Sequence, residues 1–245
     1  MSRLWKEWVL PAGLYGLAIL CFNTVAWAGF HVPSESMLPT LTVGDQFYAA
    51  KYAYGWSRFS TPLVPLPVTG APGLAGRLGG KMPERSDIVV FRSPQDSADV
   101  VKRVVGLPGD RVQVRAGRLF INGQIVPRVQ TRRYTYKDDQ GRSQQVTEYR
   151  ESLPGHAPHL ILERSDTELA DNTPEYQVPP DHIFVMGDNR DNSADSRFAS
   201  MGMIPVERLL GRVDRVAFTR SPCQPDGETC PGGGWWDRLA RKVDG

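Results

Sequence analysis

The longest apolar stretch of the chain runs from Trp8 to Phe30, 23 residues without a charge. As a helix it spans about 35 Å, enough to cross a hydrocarbon core of about 30 Å. Arg3 and Lys6 precede it, with Glu7 as the only acid. The positive-inside rule therefore keeps the short N-terminal end cytoplasmic and exports everything after Phe30. Trp5, Trp8 and Trp27 sit near the ends, where indole rings favour the interface. The stretch closes on Ala26-Trp27-Ala28, the A-x-A form of a signal-peptide cleavage site, so a cleaved signal stands beside a retained anchor. Its length, beyond that of an ordinary signal core, favours the anchor.

Past the anchor the pattern shortens to the period of strands. Gly44-Asp45 reads as a turn before a strand through Phe47 and Tyr48, and Ile88-Val89-Val90-Phe91 is a short apolar run bounded by turn formers. Val100 to Val105 follows, closed by Gly106-Leu107-Pro108-Gly109. Val112 and Val114, then Leu119 and Ile121, alternate with polar residues, and Asn122-Gly123 is a two-residue hairpin signal before Ile125 and Val126. Residues 131–136 and 146–150 pair around Asp138-Asp139-Gln140-Gly141 as a polar hairpin, and 151–180 read as a loop insertion. Ile183 to Met186 and Leu210 to Phe218 are further strands. Residues 61–80 read as an apolar Gly/Pro loop, and Trp235-Trp236 with its basic neighbours as an interfacial segment.

Composition narrows the classes. A formal charge of +2, from 29 basic and 27 acidic residues, gives no footprint for nucleic acid. Cys223 and Cys230 are candidates for a local disulfide on the exported side. They are too few for a four-ligand zinc site.

Candidate chemistry begins with the lysines. Of the six, only Lys102 sits between apolar neighbours in a strand, Val100-Val101-Lys102-Arg103-Val104-Val105. Alternation sends Lys102 and Arg103 to opposite faces, so one cation meets apolar surroundings unless the strand is an edge with both reaching water. A buried lysine can become a neutral base, whereas arginine stays charged. The four histidines lie in no metal or triad motif, and no G-x-S-x-G or H-E-x-x-H is present. The segment Gly187-Asp188-Asn189-Arg190-Asp191-Asn192-Ser193-Ala194-Asp195-Ser196-Arg197 reads as a rigid loop held by internal salt bridges, with Asp195 and Arg197 as candidates. Its spacing is poor for an EF-hand calcium loop.

Ser34-Glu35-Ser36-Met37-Leu38-Pro39-Thr40, Lys102 through Asp110, and Gly187 through Arg197 resemble the signature boxes of bacterial type I signal peptidases, and Asp87-Ile88-Val89-Val90-Phe91 resembles a fourth. The resemblance implies a serine endopeptidase with Ser36 as nucleophile and Lys102 as general base. It implies Ser34 as a hydroxyl donor to the oxyanion hole, completed by the Ser36 backbone N–H. Ser193 would orient the lysine ammonium, and Asp188, Asp195 and Arg197 would brace the site. Val32, Met37, Leu41 and Val101 would form pockets for small substrate side chains. The implied fold is mainly β: an antiparallel β-sheet catalytic domain with a smaller β extension, plus one N-terminal transmembrane helix.

The corresponding segments are an anchor over 1–30, a catalytic domain over 31–106 and 181–220, an extension over 107–180 and a tail over 221–245. The implied partners are signal-peptide-bearing preproteins, membrane lipid and the export machinery, without nucleic acid, metal or organic cofactor. The implied location is the bacterial inner membrane, single-pass, with the catalytic domain on the extracytoplasmic side. Glu35 departs from the glycine common between the two serines, where a charge could alter substrate access. Two other readings stand beside this one: an organelle or conjugation maturation peptidase with the same plan, and a catalytically silent envelope protein.

Overall fold

The computed structural model describes residues 5–16, 26–60, 76–138, 140–219 and 239–243. The strands are β1 (Trp27–His31), β2 (Asp45–Ala50), β3 (Trp56–Ser57), β4 (Arg77–Leu78), β5 (Ile88–Arg92), β6 (Asp99–Gly106), β7 (Arg111–Arg115) and β8 (Arg118–Ile121). They continue as β9 (Gln124–Ile125), β10 (Arg128–Lys137), β11 (Ser143–Glu151), β12 (His159–Glu163), β13 (Tyr176–Gln177), β14 (His182–Met186), β15 (Ile204–Pro205) and β16 (Leu209–Thr219). A seven-stranded sheet has the order β1-β2-β16-β5-β6-β14-β15. The segment between its two halves builds a four-stranded sheet, β13-β7-β8-β9, and a three-stranded one, β10-β11-β12. Neighbouring strands in these sheets run antiparallel.

The apolar run in β5 is explained by burial on both faces. Ile88 and Val90 enter one hydrophobic cluster with Val32, Met37, Leu41, Phe47 and Val101. Val89 and Phe91 enter another with Val104, Val185 and Leu209. A strand covered on both sides loses the apolar–polar alternation and reads as a continuous run. A third cluster joins Val105, Phe184 and Met186 of the large sheet to Val112, Val114, Leu119 and Ile121. The 107–180 segment thus shares core with the main sheet at its root. Asn122 and Gly123 both have positive φ, as the two-residue turn between β8 and β9 requires.

Two elements differ from expectation. Residues 5–9 form a π-helical turn and 10–16 continue as helix, but Trp27–His31 is the strand β1. Backbone pairing with β2, from Trp27 opposite Ala50 to His31 opposite Gln46, captures the end of the apolar stretch. Among the described residues no helix is long and apolar enough to cross a membrane. The Ala26-Trp27-Ala28 step is held in this pairing, with Lys51 N donating to the Ala26 carbonyl at 3.0 Å. The expected loop over 151–180 contains β12 and β13: β12 pairs with β11, the strand just before it, and β13 with β7, which is remote in sequence. Residues 61–75, Cys21, Cys223, Cys230 and Trp235-Trp236 lie outside the described residues.

Candidate active site

The turn that follows β1 carries Ser36. Residues Glu35–Met37 form one 3-10 turn behind Ser34, closed by the Leu38 N–H donating to the Glu35 carbonyl at 3.0 Å. Met37 beneath it has no exposed surface and locks the turn to the core. Asn189 N donates to the Ser36 carbonyl at 3.1 Å, and Asn189 Nδ2 to the Glu35 carbonyl at 3.2 Å. The serine turn and the 187–197 loop are thereby fastened together.

β6 lies between β5 and β14 and delivers Lys102 to this turn. Lys102 Nζ is 2.6 Å from Ser36 Oγ and donates to the Val101 carbonyl at 3.1 Å. Both Ser36 and Lys102 are buried. Burial lowers the Lys102 pKa to about 8, against an opposing pull from Asp195 and Asp188 and with a further push from Arg197. Ser34 Oγ lies 3.3 Å from Ser36 Oγ. The arrangement sets a hydroxyl, an amine that gives up its proton near neutrality, and a second hydroxyl within one hydrogen-bonded group.

Two buried ion pairs surround the amine. Arg103 binds Asp188 through Nε and Nη2, each at 2.8 Å, and Thr40 Oγ1 also donates to that carboxylate. Arg197 Nε and Nη2 reach Asp195 at 2.8 and 2.9 Å. Burial alone would raise both carboxyls, but the paired guanidiniums hold them below the ordinary carboxylate range. Both cations of β6 are therefore buried, and the edge-strand reading of that segment falls. Apolar neighbours on both faces of β6 leave these side chains little exposed, and Asp188 supplies what Arg103 needs.

Ser193 stands in the same polar group as the amine's neighbours. Its Oγ donates to Asp195 Oδ2 at 2.8 Å, and Lys102 bonds Ser36 and the Val101 carbonyl. Asp195 also accepts from the Gly187 N–H at 3.0 Å, so its charge is held in place by three partners before it acts on Lys102. Val32, Met37, Leu41 and Val101 do gather in one cluster. Only Val101, at 9% exposure, offers appreciable surface; Met37 and Leu41 have none. Glu35 is buried and accepts from Asn192 Nδ2 at 2.9 Å, which turns its charge toward the loop.

Gly187 is a residue of the site to which sequence reasoning gave no role of its own. A Cβ on Gly187 would press into Ser193 Oγ and stand 2.5 Å from the Ser36 carbonyl oxygen. A glycine ending an apolar strand ahead of a polar loop is the signal that could have marked it. Gly187→Ala is expected to cost about 1–3 kcal/mol through overpacking. Any reaction at Ser36 should fall at least about tenfold, since the displaced atoms belong to Ser36 and Ser193; urea unfolding and an activity assay check both.

Residues 5–218 match the family described as signal peptidase, peptidase S26. Signal peptidase I of Rickettsia typhi is 31% identical over 215 residues, covering 85% of this chain and 74% of that one. Signal peptidase I of Pseudomonas aeruginosa is 36% identical over 197 residues, covering 76% of this chain and 63% of that one. Signal peptidase I of Rickettsia akari is 29% identical over 239 residues, covering 95% and 82%. The matches define a class, the serine endopeptidases. Within it, this chain belongs to the signal peptidase family, peptidase S26.

Proposed function

We propose that this protein removes N-terminal signal peptides from exported preproteins, cleaving after small-x-small residues, with Ser36 as nucleophile and Lys102 as general base. The observation that carries the reading is the 2.6 Å approach of the buried Lys102 Nζ to Ser36 Oγ. Neutral Lys102 takes the Ser36 hydroxyl proton as Oγ attacks the scissile carbonyl carbon. The Ser36 N–H and the Ser34 hydroxyl meet the resulting oxyanion, each donor contributing about 3–4 kcal/mol. Lys102 passes its proton to the departing amine, leaving an ester on Ser36. Water then cleaves that ester, with Lys102 again accepting and returning a proton.

Asp188, Asp195 and Arg197 brace this machinery, and Ser193, itself held by Asp195, orients the Lys102 ammonium. The substrate's small side chain packs on Val101, while Val32, Met37 and Leu41 support that surface from below. The same reading keeps the chain on the bacterial inner membrane through the part of the apolar run that precedes β1, with lipid and the export machinery as neighbours. Support comes from the outer face of the first strands: Tyr48 and Phe218 are exposed, and Trp27 lies on that side by its register with Ala50. Aromatic residues in such a band suit a membrane interface. The test is cleavage of a preprotein by full-length protein in detergent. Wild type should cut at the small-x-small site and Ser36→Ala should leave the preprotein intact; equal cutting by both would end the reading.

A further inference from the structure

Behind the 187–197 loop, three carboxylates from separate segments converge. β12 runs beside that loop, with Leu162 bridged to Asn189 and Leu162 N donating to the Asp188 carbonyl at 2.8 Å. This sets Glu163, the last residue of β12, opposite the 3-10 turn Arg190–Asn192 that carries Asp191. Asp171 arrives from a turn closed by its own N–H on the Glu168 carbonyl at 3.0 Å. One oxygen from each of Glu163, Asp171 and Asp191 lies within 4.8 Å of the others.

Each carboxylate is braced through one oxygen. Glu163 Oε1 accepts from Arg128 at 3.1 Å, Asp191 Oδ2 from the Arg164 N–H at 2.6 Å, and Asp171 Oδ2 from the Glu168 N–H at 2.6 Å. The remaining oxygens differ from an ordinary acidic turn. Glu163 Oε2 and Asp191 Oδ1 are buried without a hydrogen-bond partner, and Glu163 is only 3% exposed. A buried carboxylate oxygen with nothing to bind is costly, so such atoms are normally matched by a partner. Cations do stand near: Arg128 is shared between Glu163 and Asp166, Arg190 is paired with Glu151 through its two terminal nitrogens, and Arg197 with Asp195, and none of them bonds Glu163 Oε2 or Asp191 Oδ1.

We propose that Glu163, Asp171 and Asp191 form a binding site for a divalent cation, with Ca2+ as the ion that fits. Ca2+ takes carboxylate oxygens at about 2.3–2.6 Å in flexible geometry, so ligands gathered within about 5 Å suit it. Mg2+ demands a near-ideal octahedron, which three separately braced carboxylates do not supply. The ion would tie β12 to the turn directly ahead of Ser193. The proposal does not depend on the peptidase reading. The competing account is a proton shared between Glu163 and Asp191; burial, with Asp191 and Asp171 nearby, does push the Glu163 carboxyl well above its ordinary range.

The experiment compares thermal unfolding of the full-length protein in detergent with EDTA, Ca2+ or Mg2+, beside Glu163→Gln and Asp191→Asn. With Ca2+ at about 100 times its Kd, the wild-type Tm should rise by about 5–10 °C. The rise should vanish in both variants and be smaller with Mg2+. No Ca2+ response in wild type overturns the proposal in favour of the shared proton, and a response retained in both variants overturns it in favour of another site. If the variants do not fold, anomalous scattering from wild-type crystals soaked with Tb3+ decides. A peak among the three carboxylates supports the site, and its absence there overturns it.

Discussion

Replacing Lys102 with arginine should reduce preprotein cleavage by about 10^3-fold or more at every accessible pH. Arginine keeps the positive charge and much of the length, but its guanidinium does not give up a proton in proteins. The Ser36 hydroxyl would then face a permanent cation and no acceptor. The group lost here is the base itself, and single losses from an interdependent nucleophile–base unit fall in this range. No histidine can take over: His159 is buried, and burial together with Arg103 lowers its pKa to about 3. Among the described residues no histidine bonds Ser36 or Lys102. Single-turnover cleavage with Lys102→Arg and Lys102→Ala checks this. Retention of a tenth of wild-type activity by the arginine variant would contradict it.

The largest expected loss of stability comes from Asp188→Ala. Arg103 and Asp188 are both about 1% exposed in their side chains, and the pair is bidentate. Removing the carboxylate strands a guanidinium where water cannot reach it, which costs about 3–5 kcal/mol. That is a large share of the roughly 5–15 kcal/mol that a folded domain has in hand. Urea unfolding of the variant should give that loss, and a change under about 1 kcal/mol would contradict the assignment. The double replacement Arg103→Met with Asp188→Leu should recover part of it, because no charge is then left unpaired. The sign with pH follows from the direction of the shift. Asp188 is held below the ordinary carboxylate range, so its contribution is complete above that range and disappears as pH falls through the lowered value.

Local signals made much of the scaffold legible. The alternation in 111–121, the Asn122-Gly123 turn and the hairpin of β10 and β11 each depend on residues near one another in sequence, so short windows suffice to find them. β1, β12 and β13 were missed because each takes its strand form from the partner it pairs with rather than from a pattern of its own. Trp27–His31 looks helical within its own apolar stretch and becomes a strand only because the edge of β2 is there to pair with it. His159–Glu163 and Tyr176–Gln177 carry little pattern alone and are drawn into sheets by β11 and β7.

The site divides similarly. A lysine flanked by valines pointed to Lys102, but alternation implied one buried cation and the structure buries two, since the partner for Arg103 is Asp188, 85 positions away. The grouping of Glu163 and Asp171 with Asp191 has no spacing for a sequence window to detect.

The measurement that tests the Ser36–Lys102 pair most directly is the pH dependence of kcat/KM for preprotein cleavage by the full-length wild type. The working form has Lys102 neutral, so activity is present above its pKa and lost as pH falls through it. With that pKa lowered to about 8 by burial, the rate should rise through an acidic limb near pH 8. About one tenth of the plateau should remain at pH 7, one pH unit below the limb. A limb near pH 6.5, the range of an ordinary histidine, or a rate flat between pH 6 and 9, would contradict the pair.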